Sequence, residues 1–133
     1  MHVIICLDDR SGMLFNRRRL SSDRAVCERI VELAEERTLW MNAYSAKLFD
    51  DQKVTVSDTF LENAEPGDVC FVENVDILPY MDKLGTVTVF SWNRAYPSDT
   101  KFPIVLLDNW QKSLVSEFAG SSHEKISEWR YVR

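Results

Sequence analysis

Short apolar runs alternate with helical patterns through the first two thirds of the chain, and this alternation is the feature that most restricts its fold. The run HVIICL, residues 2–7, is apolar throughout, as in a strand buried on both faces of a parallel sheet. After it, Cys27, Ile30, Val31 and Ala34 recur at helical spacing, which predicts an amphipathic helix. Strand–helix–strand alternation of this kind builds a parallel sheet with right-handed crossovers.

The remaining predicted elements continue this alternation and then give way to a hairpin. Strands are expected at the runs TLWMN, VTV, VCFVEN and TVTVFSW. Helices are expected to begin near Ser22, Ala43 and Asp58. Ser21 or Ser22 is expected as the N-cap of the first helix. After Trp110, the runs NWQKSLVSEF and ISEWRYVR are joined by the polar loop AGSSHEK, which predicts an antiparallel hairpin at the edge of the sheet.

These patterns predict an α/β fold with one domain over residues 1–133: a mixed, mostly parallel sheet with flanking helices and a C-terminal antiparallel hairpin. A hydrophobic fraction of 45% supplies enough material for one core. The net charge of −5 argues against binding to nucleic acid or anionic membranes, which need a surplus of Lys and Arg. No apolar run is long enough to cross a bilayer. We therefore expect a cytoplasmic protein, and the sequence does not indicate its oligomeric state.

The cysteines and histidines do not indicate metal chemistry. The three cysteines, Cys6, Cys27 and Cys70, are odd in number and lie in apolar surroundings, so we expect small buried side chains in a reducing compartment. The two histidines, His2 and His123, form no metal-ligand motif. We expect no metal site, and we expect His123 to be solvated in the hairpin loop.

Several segments in a fixed order resemble the dihydrofolate reductase family over nearly the whole chain. DDRSGMLFN followed by LSSD is similar to the family's D/N-R-x-x-G loop and to the L-P-x-D that opens its first helix. TLWMNAYSAKLF stands where the family has an apolar strand ending in M-G-R-x-T. VTVSDTFLENAEPGDVCFV resembles the strand, helix and strand that lead to the family's G-G loop, and SDTKFP resembles its G-D-T-x-F-P segment. The resemblance implies the family's fold, with a pterin pocket beside a nicotinamide cofactor site.

The cofactor site that the resemblance implies lacks its usual residues. The family binds cofactor phosphates through backbone N–H groups next to glycines and through arginines. Here residues 42–45 replace G-R-x-T, so that only the Ser45 hydroxyl remains for cofactor binding, and Glu73 and Asn74 replace the G-G pair. The short connection over residues 50–53 leaves no room for the family's third strand and phosphate-contacting turn. We therefore expect no cofactor, and NADPH only if the protein is a reductase.

The substrate side keeps its acidic residue. The resemblance gives Asp23 the role of the catalytic carboxylate that pairs with a pterin, and gives Ser91 the role of a supporting hydroxyl. Helical spacing puts Asp23 on the apolar face of the first helix, where partial burial should raise its pKa. The apolar walls of the ligand pocket are expected to be Cys6, Cys27, Phe49 and Val72. The other interpretation is that Asp23 is an acid in the first helical turn, stabilised by the helix dipole and facing water.

The arginine run Arg17, Arg18 and Arg19 has two interpretations. In the first it is a solvated loop, as short charged runs usually are. In the second it is an anion clamp that binds a cofactor or ligand and replaces the lost phosphate contacts from another side. The sequence does not decide between them.

Two functions from different classes remain open. The first is a diverged binding or regulatory protein that no longer reduces dihydrofolate with NADPH and binds a small pterin-like or nucleotide-like heterocycle or a protein partner. The second is an NADPH-dependent reductase of dihydrofolate or a related pterin with an altered cofactor site. We favour the first, because the departures from the family concentrate on the cofactor contacts while the strands of the scaffold persist.

Overall fold

The structure is a computed structural model that describes residues 1–50 and 53–133. In chain order its strands and helices are β1 (His2–Leu7), β2 (Gly12–Phe15), β3 (Arg18–Arg19), α1 (Arg24–Ala34), β4 (Leu39–Met41), α2 (Ala43–Ala46), β5 (Val54–Val56), α3 (Phe60–Asn63), β6 (Val69–Phe71), β7 (Thr86–Ser91), β8 (Thr100–Lys101), β9 (Gln111–Phe118) and β10 (Ile126–Val132). Two short 3₁₀ helices cover Leu78–Lys83 and Ile104–Leu107. Residues 51 and 52, in the connection where the sequence suggests a deletion, lie outside the described residues.

A seven-stranded mixed sheet in the order β5-β4-β6-β1-β7-β10-β9 forms the centre of the described chain. Strand β1 pairs in parallel with β6 and β7, and β4 pairs in parallel with β5 and β6. Strand β10 is antiparallel to both β7 and β9, so that the C-terminal hairpin lies at one edge of the sheet. The predicted fold class is confirmed, including the interior position of the HVIICL strand.

Alternate side chains of β1 serve two apolar clusters, one on each face of the sheet. Ile4 packs with the buried side of α1, where Val26 and Ile30 are inaccessible to solvent or nearly so. Val3 and Ile5 point the other way and belong to the second cluster. This two-residue alternation explains why β1 is apolar throughout, because both of its faces are covered. It also fixes α1 against the sheet at the end that carries the candidate site.

A small second sheet in the order β3-β2-β8 lies beside the main sheet, and the sequence patterns did not predict it. Strand β2 pairs antiparallel with both neighbours. Gly12 permits the close approach at its start, since a Cβ there would lie 2.7 Å from Ser98 Oγ and 2.8 Å from Asp8 Oδ1. Asp8 accepts backbone N–H bonds from Gly12 and Tyr96. These contacts connect the loop after β1 to the loop after β7.

Helix boundaries differ from the predicted ones in two places. The N-cap of α1 is Asp23, one residue after the expected Ser21 or Ser22, and its carboxylate accepts the Ala25 N–H. Helix α3 begins at Phe60 after Thr59, later than expected. Among the described residues, no helix has the length and apolar character needed to span a membrane.

Candidate functional site

Asp23 is the most heavily hydrogen-bonded side chain of the candidate site. It is only 3% exposed and lies at the junction between β3 and α1. One oxygen accepts the N–H groups of Ala25 and Ser121 and the Ser121 hydroxyl, at 2.9, 2.9 and 3.0 Å. The other accepts the Ser122 N–H at 2.9 Å and faces His123 Nδ1 at 2.8 Å. The tip of the β9–β10 hairpin therefore wraps around this one carboxylate.

Gly120 makes this wrapping possible. A Cβ at residue 120 would lie 2.4 Å from Asp23 Oδ2, which is closer than any side chain can approach. The Gly120 N–H also donates to the His123 carbonyl at 3.0 Å, which closes the turn. In the sequence Gly-Ser-Ser-His, the glycine leaves room for the Asp23 carboxylate because it has no Cβ. The two serine hydroxyls and the imidazole that follow converge on that carboxylate.

His123 is buried rather than solvated, which corrects the sequence-based expectation. Its exposure is 7%, and its ring stacks on Trp92 with centroids 4.5 Å apart. Because the Asp23 carboxylate can only accept, Nδ1 carries the proton of that bond, and Nε2 of a neutral ring is left as an acceptor. Ser21 Oγ lies 2.9 Å from Nε2 and Tyr96 Oη lies 3.1 Å from it. Either hydroxyl can therefore donate to this nitrogen, whose single lone pair accepts one proton at a time.

The environment of Asp23 reverses the predicted pKa shift. Burial alone would raise the pKa of this carboxyl, as the sequence predicts. Hydrogen bonds from His123 and from the Ser121 and Ser122 backbone outweigh the effect of burial and hold the pKa well below its usual range. Asp23 is an N-cap with extended backbone, so its side chain turns towards the hairpin tip instead of lying on the apolar face of the helix.

Ser91 is not joined to Asp23 by a hydrogen bond. It lies at the end of β7, where it is in register with Leu7 of β1 and Ser127 of β10. The pairing of Asp23 and Ser91 with a pterin remains a prediction. A pterin would have to compete with the protein partners that the Asp23 oxygens already have.

The predicted pocket walls are divided between two places. Cys6, Cys27 and Val72 line small cavities of about 10 Å³ each, close to the space that one water molecule needs. Phe49 lies instead in a groove of about 450 Å³ that it shares with Cys27 and the outer side of α1. The centre of the implied ligand site is thus almost filled by protein.

An internal ion pair stands where the resemblance implies the cofactor. Arg19 Nε and Nη2 bind the two carboxylate oxygens of Glu73 at 2.9 and 3.0 Å. The Ser45 hydroxyl donates to the same carboxylate at 2.8 Å. The Arg19 guanidinium lies 4.2 Å from the centre of the Tyr44 ring and donates to the Tyr44 carbonyl. Ser45 and Arg19, two of the four residues that the sequence indicates as cofactor contacts, are therefore both bound to Glu73.

The other arginines of the run remain open to solvent. Arg17 and Arg18 are exposed, and no ion pair or hydrogen bond of their side chains occurs within the described chain. Arg18 lines an open groove of about 590 Å³ between β2–β3 and the loop after β7, together with Phe15, Asn16, Arg19, Leu20, Tyr96 and Pro97. Phe15 is 44% exposed there. This groove combines aromatic surface with a cation that has no ion-pair partner in the part of the chain that the structure describes.

The cysteines are free in the structure, where Cys70 is buried and Cys6 and Cys27 are partly buried. Burial raises the pKa of Cys27 to about 11 and of Cys70 to about 12, and it raises the pKa of Cys6 as well, which disfavours the reactive thiolate. Among the described residues, no group of three or more His, Cys, Asp or Glu side chains is arranged to hold a metal ion.

Sequence reasoning found Asp23 but missed its partners. Ser121, Ser122 and His123 lie 98 to 100 residues away in the chain, so that no local spacing connects them to Asp23. The one usable signal was the composition of the AGSSHEK loop, which is rich in groups that can donate to a carboxylate.

Comparison with known proteins supports the fold. No protein-family model and no curated protein matches the sequence. Among solved structures, a dihydrofolate reductase from Enterococcus faecalis, complexed with NADP(H) and RAB-propyl, is similar with a TM-score of 0.64 and 11% identity. The match covers 99% of this chain and 95% of that chain. At this identity the likeness concerns the architecture, and the chain therefore has a dihydrofolate reductase-like fold.

Proposed function

We propose that this protein uses a dihydrofolate reductase-like fold to bind a small anionic, nucleotide-like ligand and does not reduce dihydrofolate with NADPH. The observation that carries the proposal is the Arg19–Glu73 ion pair, which stands where the resemblance implies the cofactor. Each carboxylate oxygen of Glu73 has a guanidinium partner, and Ser45 adds a third donor.

NADPH is a poor ligand for this arrangement. The Glu73 side chain is only 8% exposed, so its charge is weakly screened by water, and it repels phosphate groups. An incoming phosphate that recruited Arg19 would have to break the bidentate pair and leave Glu73 buried without its cation. Separating such pairs costs about 3–5 kcal/mol when they are buried, which exceeds the gain from one new phosphate contact.

The groove beside Arg18 is the better candidate for an anionic ligand. Its volume of about 590 Å³ lies in the range of small-molecule sites. Among residues 1–50 and 53–133, Arg18 has no carboxylate partner that a phosphate would have to displace. The exposed ring of Phe15 and that of Tyr96 provide surface for a planar base. A nucleotide meets both requirements at once.

A pterin is the less favoured ligand. Its amino-pyrimidine edge would compete with Ser121, Ser122 and His123 for the Asp23 oxygens, and the adjoining cavity has room for about one water molecule. Pterin binding at Asp23 therefore requires the hairpin tip to move away. The reductase alternative requires this movement and, in addition, the opening of the Arg19–Glu73 pair.

Ligand-dependent stability separates these readings. We expect ATP to raise the unfolding temperature of the wild type, while NADPH, dihydrofolate and 2,4-diaminopyrimidine leave it unchanged. At 100 times its dissociation constant a ligand stabilises the folded state by about 2.7 kcal/mol. Arg18→Ala should weaken ATP binding about tenfold, the equivalent of about 1.4 kcal/mol. Arg24→Ala is the matched control, since Arg24 is also exposed but lines a different groove.

The opposite results have clear meanings. Steady turnover of dihydrofolate with NADPH would establish the reductase alternative, and micromolar NADPH binding by cofactor fluorescence would contradict the exclusion of this cofactor. Equal ATP affinity in Arg18→Ala and Arg24→Ala, or no ATP binding at all, would remove the groove as a nucleotide site.

A further inference from the structure

We propose that Ser21, His123 and Asp23 form a nucleophile–base–carboxylate triad that hydrolyses small carboxylic esters. Ser21 Oγ lies 2.9 Å from His123 Nε2, and His123 Nδ1 lies 2.8 Å from Asp23 Oδ2. A nucleophile within hydrogen-bond reach of a base, with that base oriented by a third group, is the geometry of hydroxyl-based acyl transfer on many unrelated folds. The inference uses different contacts from the nucleotide groove and does not depend on it.

The base is held in one tautomer and one orientation. Asp23 is fixed by the Ala25, Ser121 and Ser122 N–H groups, so its carboxylate cannot turn away from the imidazole. It accepts the Nδ1 proton, which leaves the lone pair of Nε2 directed at the hydroxyls. Stacking on Trp92, with an interplanar angle of 20°, fixes the plane of the ring. Asp23 is therefore a positioning residue, and Ser21 and His123 are the residues that meet the substrate.

Ser21 also has free backbone donors beside it. The N–H groups of Ser22 and Asp23, which follow the nucleophile directly, make no hydrogen bond to any described residue. They precede the positive end of α1, an eleven-residue helix. Free backbone N–H groups next to the nucleophile are the groups that stabilise the oxyanion in acyl transfer. In the proposed reaction, the Ser22 N–H has this role.

The reaction proceeds in two balanced stages. Ser21 Oγ attacks the ester carbonyl carbon while its proton moves to His123 Nε2, and the carbonyl oxygen becomes an oxyanion. The C–O bond to the alcohol then breaks, and the leaving oxygen takes the proton from Nε2. A water molecule next attacks the acyl-serine, giving its proton to Nε2. The Ser21–acyl bond breaks, the proton returns to Ser21 Oγ, and the carboxylic acid leaves.

The space around Ser21 limits the substrate to short acyl groups. Ser21 is partly exposed and lines the two cavities of about 10 Å³, which it shares with Cys6, Glu73 and Trp92. A space of this size accepts a water molecule or a methyl group but no longer chain. The alcohol portion must extend to the outside. Acetyl esters are therefore the substrate class that fits.

The hydroxyl of Tyr96 competes with Ser21 for the base. It lies 3.1 Å from the same nitrogen, and when Tyr96 donates to Nε2 the lone pair is not available to Ser21. Tyr96→Phe removes this competitor without touching the Asp23–His123 bond. We expect this substitution to leave the reaction of Ser21 intact or increase its rate.

Covalent labelling tests the triad directly. Wild type and Ser113→Ala should each take up one fluorophosphonate at Ser21, located by peptide mass spectrometry, and hydrolyse 4-nitrophenyl acetate above the buffer rate. Ser113→Ala is the matched control because Ser113 lies on β9, outside the proposed triad, and its exposed hydroxyl makes no hydrogen bond in the described chain. Ser21→Ala should lose the label and at least about a hundredfold of the hydrolysis rate, with an unchanged unfolding temperature.

His123 and Asp23 also anchor the hairpin, so their variants alone cannot tell a loss of catalysis from a loss of folding. Ser21→Ala keeps the Asp23–His123 contact intact and therefore separates catalysis from folding. Absence of a Ser21 adduct in the folded wild type, or equal hydrolysis by wild type and Ser21→Ala, would overturn the proposal and leave the three residues as a structural tether.

Discussion

Asp23 shows how the surroundings of one side chain decide its chemistry. The resemblance implies a carboxylate that waits for an amino-heterocycle, which needs free acceptor oxygens. In this chain both oxygens are occupied by the hairpin tip. The result is an ionised carboxylate with a lowered pKa that orients an imidazole. Its oxygens are occupied because a loop about a hundred residues away reaches it.

Gly120 provides a test of this contact. We expect Gly120→Ala to lower the free energy of unfolding by about 1–3 kcal/mol, because the new Cβ would meet Asp23 Oδ2 and the loop must shift. Gly85→Ala is the matched control, since nothing lies within 4 Å of a Cβ there. Urea denaturation of both variants measures the difference. Equal stability of the two would mean that the hairpin tip does not press against Asp23.

The residue-scale predictions from sequence succeeded where local pattern was sufficient. Burial of Asp23 could be predicted, although the hairpin tip rather than the apolar face of the helix buries it. Its pKa direction could not, since the sign depends on whether donors or only apolar groups surround a buried carboxyl. The expectation of a solvated His123 rests on the usual exposure of polar hairpin tips. The stacking on Trp92 that buries it is a contact between distant segments.

At the scale of elements, strong periodicity decided what could be predicted. Strands β1 and β7 and the β9–β10 hairpin were recognised because long apolar or β-branched runs leave few alternatives. The small sheet was missed because Gly12–Phe15 and Arg18–Arg19 are too short to carry a pattern. Tertiary contacts hold it, such as the Asn16 N–H bond to the Asp99 carboxylate. The groove and the Arg19–Glu73 pair both depend on these unpredicted strands.

One ion pair connects helix α1 to the terminal hairpin. Glu128 on β10 is fully buried, and Arg29 binds both of its oxygens at 2.8 and 3.2 Å. Arg29→Met keeps much of the side-chain volume but removes the cation. Among the described residues, the buried carboxylate then keeps only the Ser116 hydroxyl as a partner. We expect a loss of about 2–4 kcal/mol in the free energy of unfolding, allowing for the partial exposure of Arg29.

Arg24→Met is the control for this prediction, because Arg24 lies on the same helix without a side-chain partner in the described chain. Chemical denaturation should detect the loss in Arg29→Met and a change of less than about 0.5 kcal/mol in Arg24→Met. A similar small change in both would mean that the pair adds nothing to the attachment of α1 to the hairpin.

At the scale of the whole molecule, the sheet agrees with the predicted fold while protein side chains almost fill the implied ligand site. The seven-stranded order and the C-terminal hairpin follow from the apolar patterns of the sequence. Arg19, Glu73 and the hairpin tip fill the regions where the resemblance implies a cofactor and a pterin. Fold and site respond to different constraints, because apolar periodicity determines the sheet, whereas a few polar contacts determine whether the site is open.

The stability of the whole sheet should depend on the protonation of His2. This residue begins β1, is 8% exposed, and its Nε2 lies 2.7 Å from Thr88 Oγ1 on β7. Burial, and then the positive charges of Arg37, Arg130 and the N-terminal amine, lower its pKa to about 4, and Glu128 opposes them only in part. The folded state therefore keeps His2 neutral at a pH where the unfolded chain already binds a proton.

The sign and window of the effect follow from this lowered pKa. Between the unfolded value of 6.5 and the folded value of about 4, the unfolded state binds more protons, so the free energy of unfolding falls as the pH falls. The shift corresponds to a loss of up to about 3 kcal/mol across this window.

His2→Gln keeps a hydrogen-bonding side chain but cannot titrate, so its stability should decline less over the same range. Denaturant titrations at pH 7.5, 5.5 and 4.5 measure both proteins. Parallel pH profiles for wild type and His2→Gln would mean that protonation of His2 does not lower the free energy of unfolding. The loss of stability in acid would then have to come from other groups.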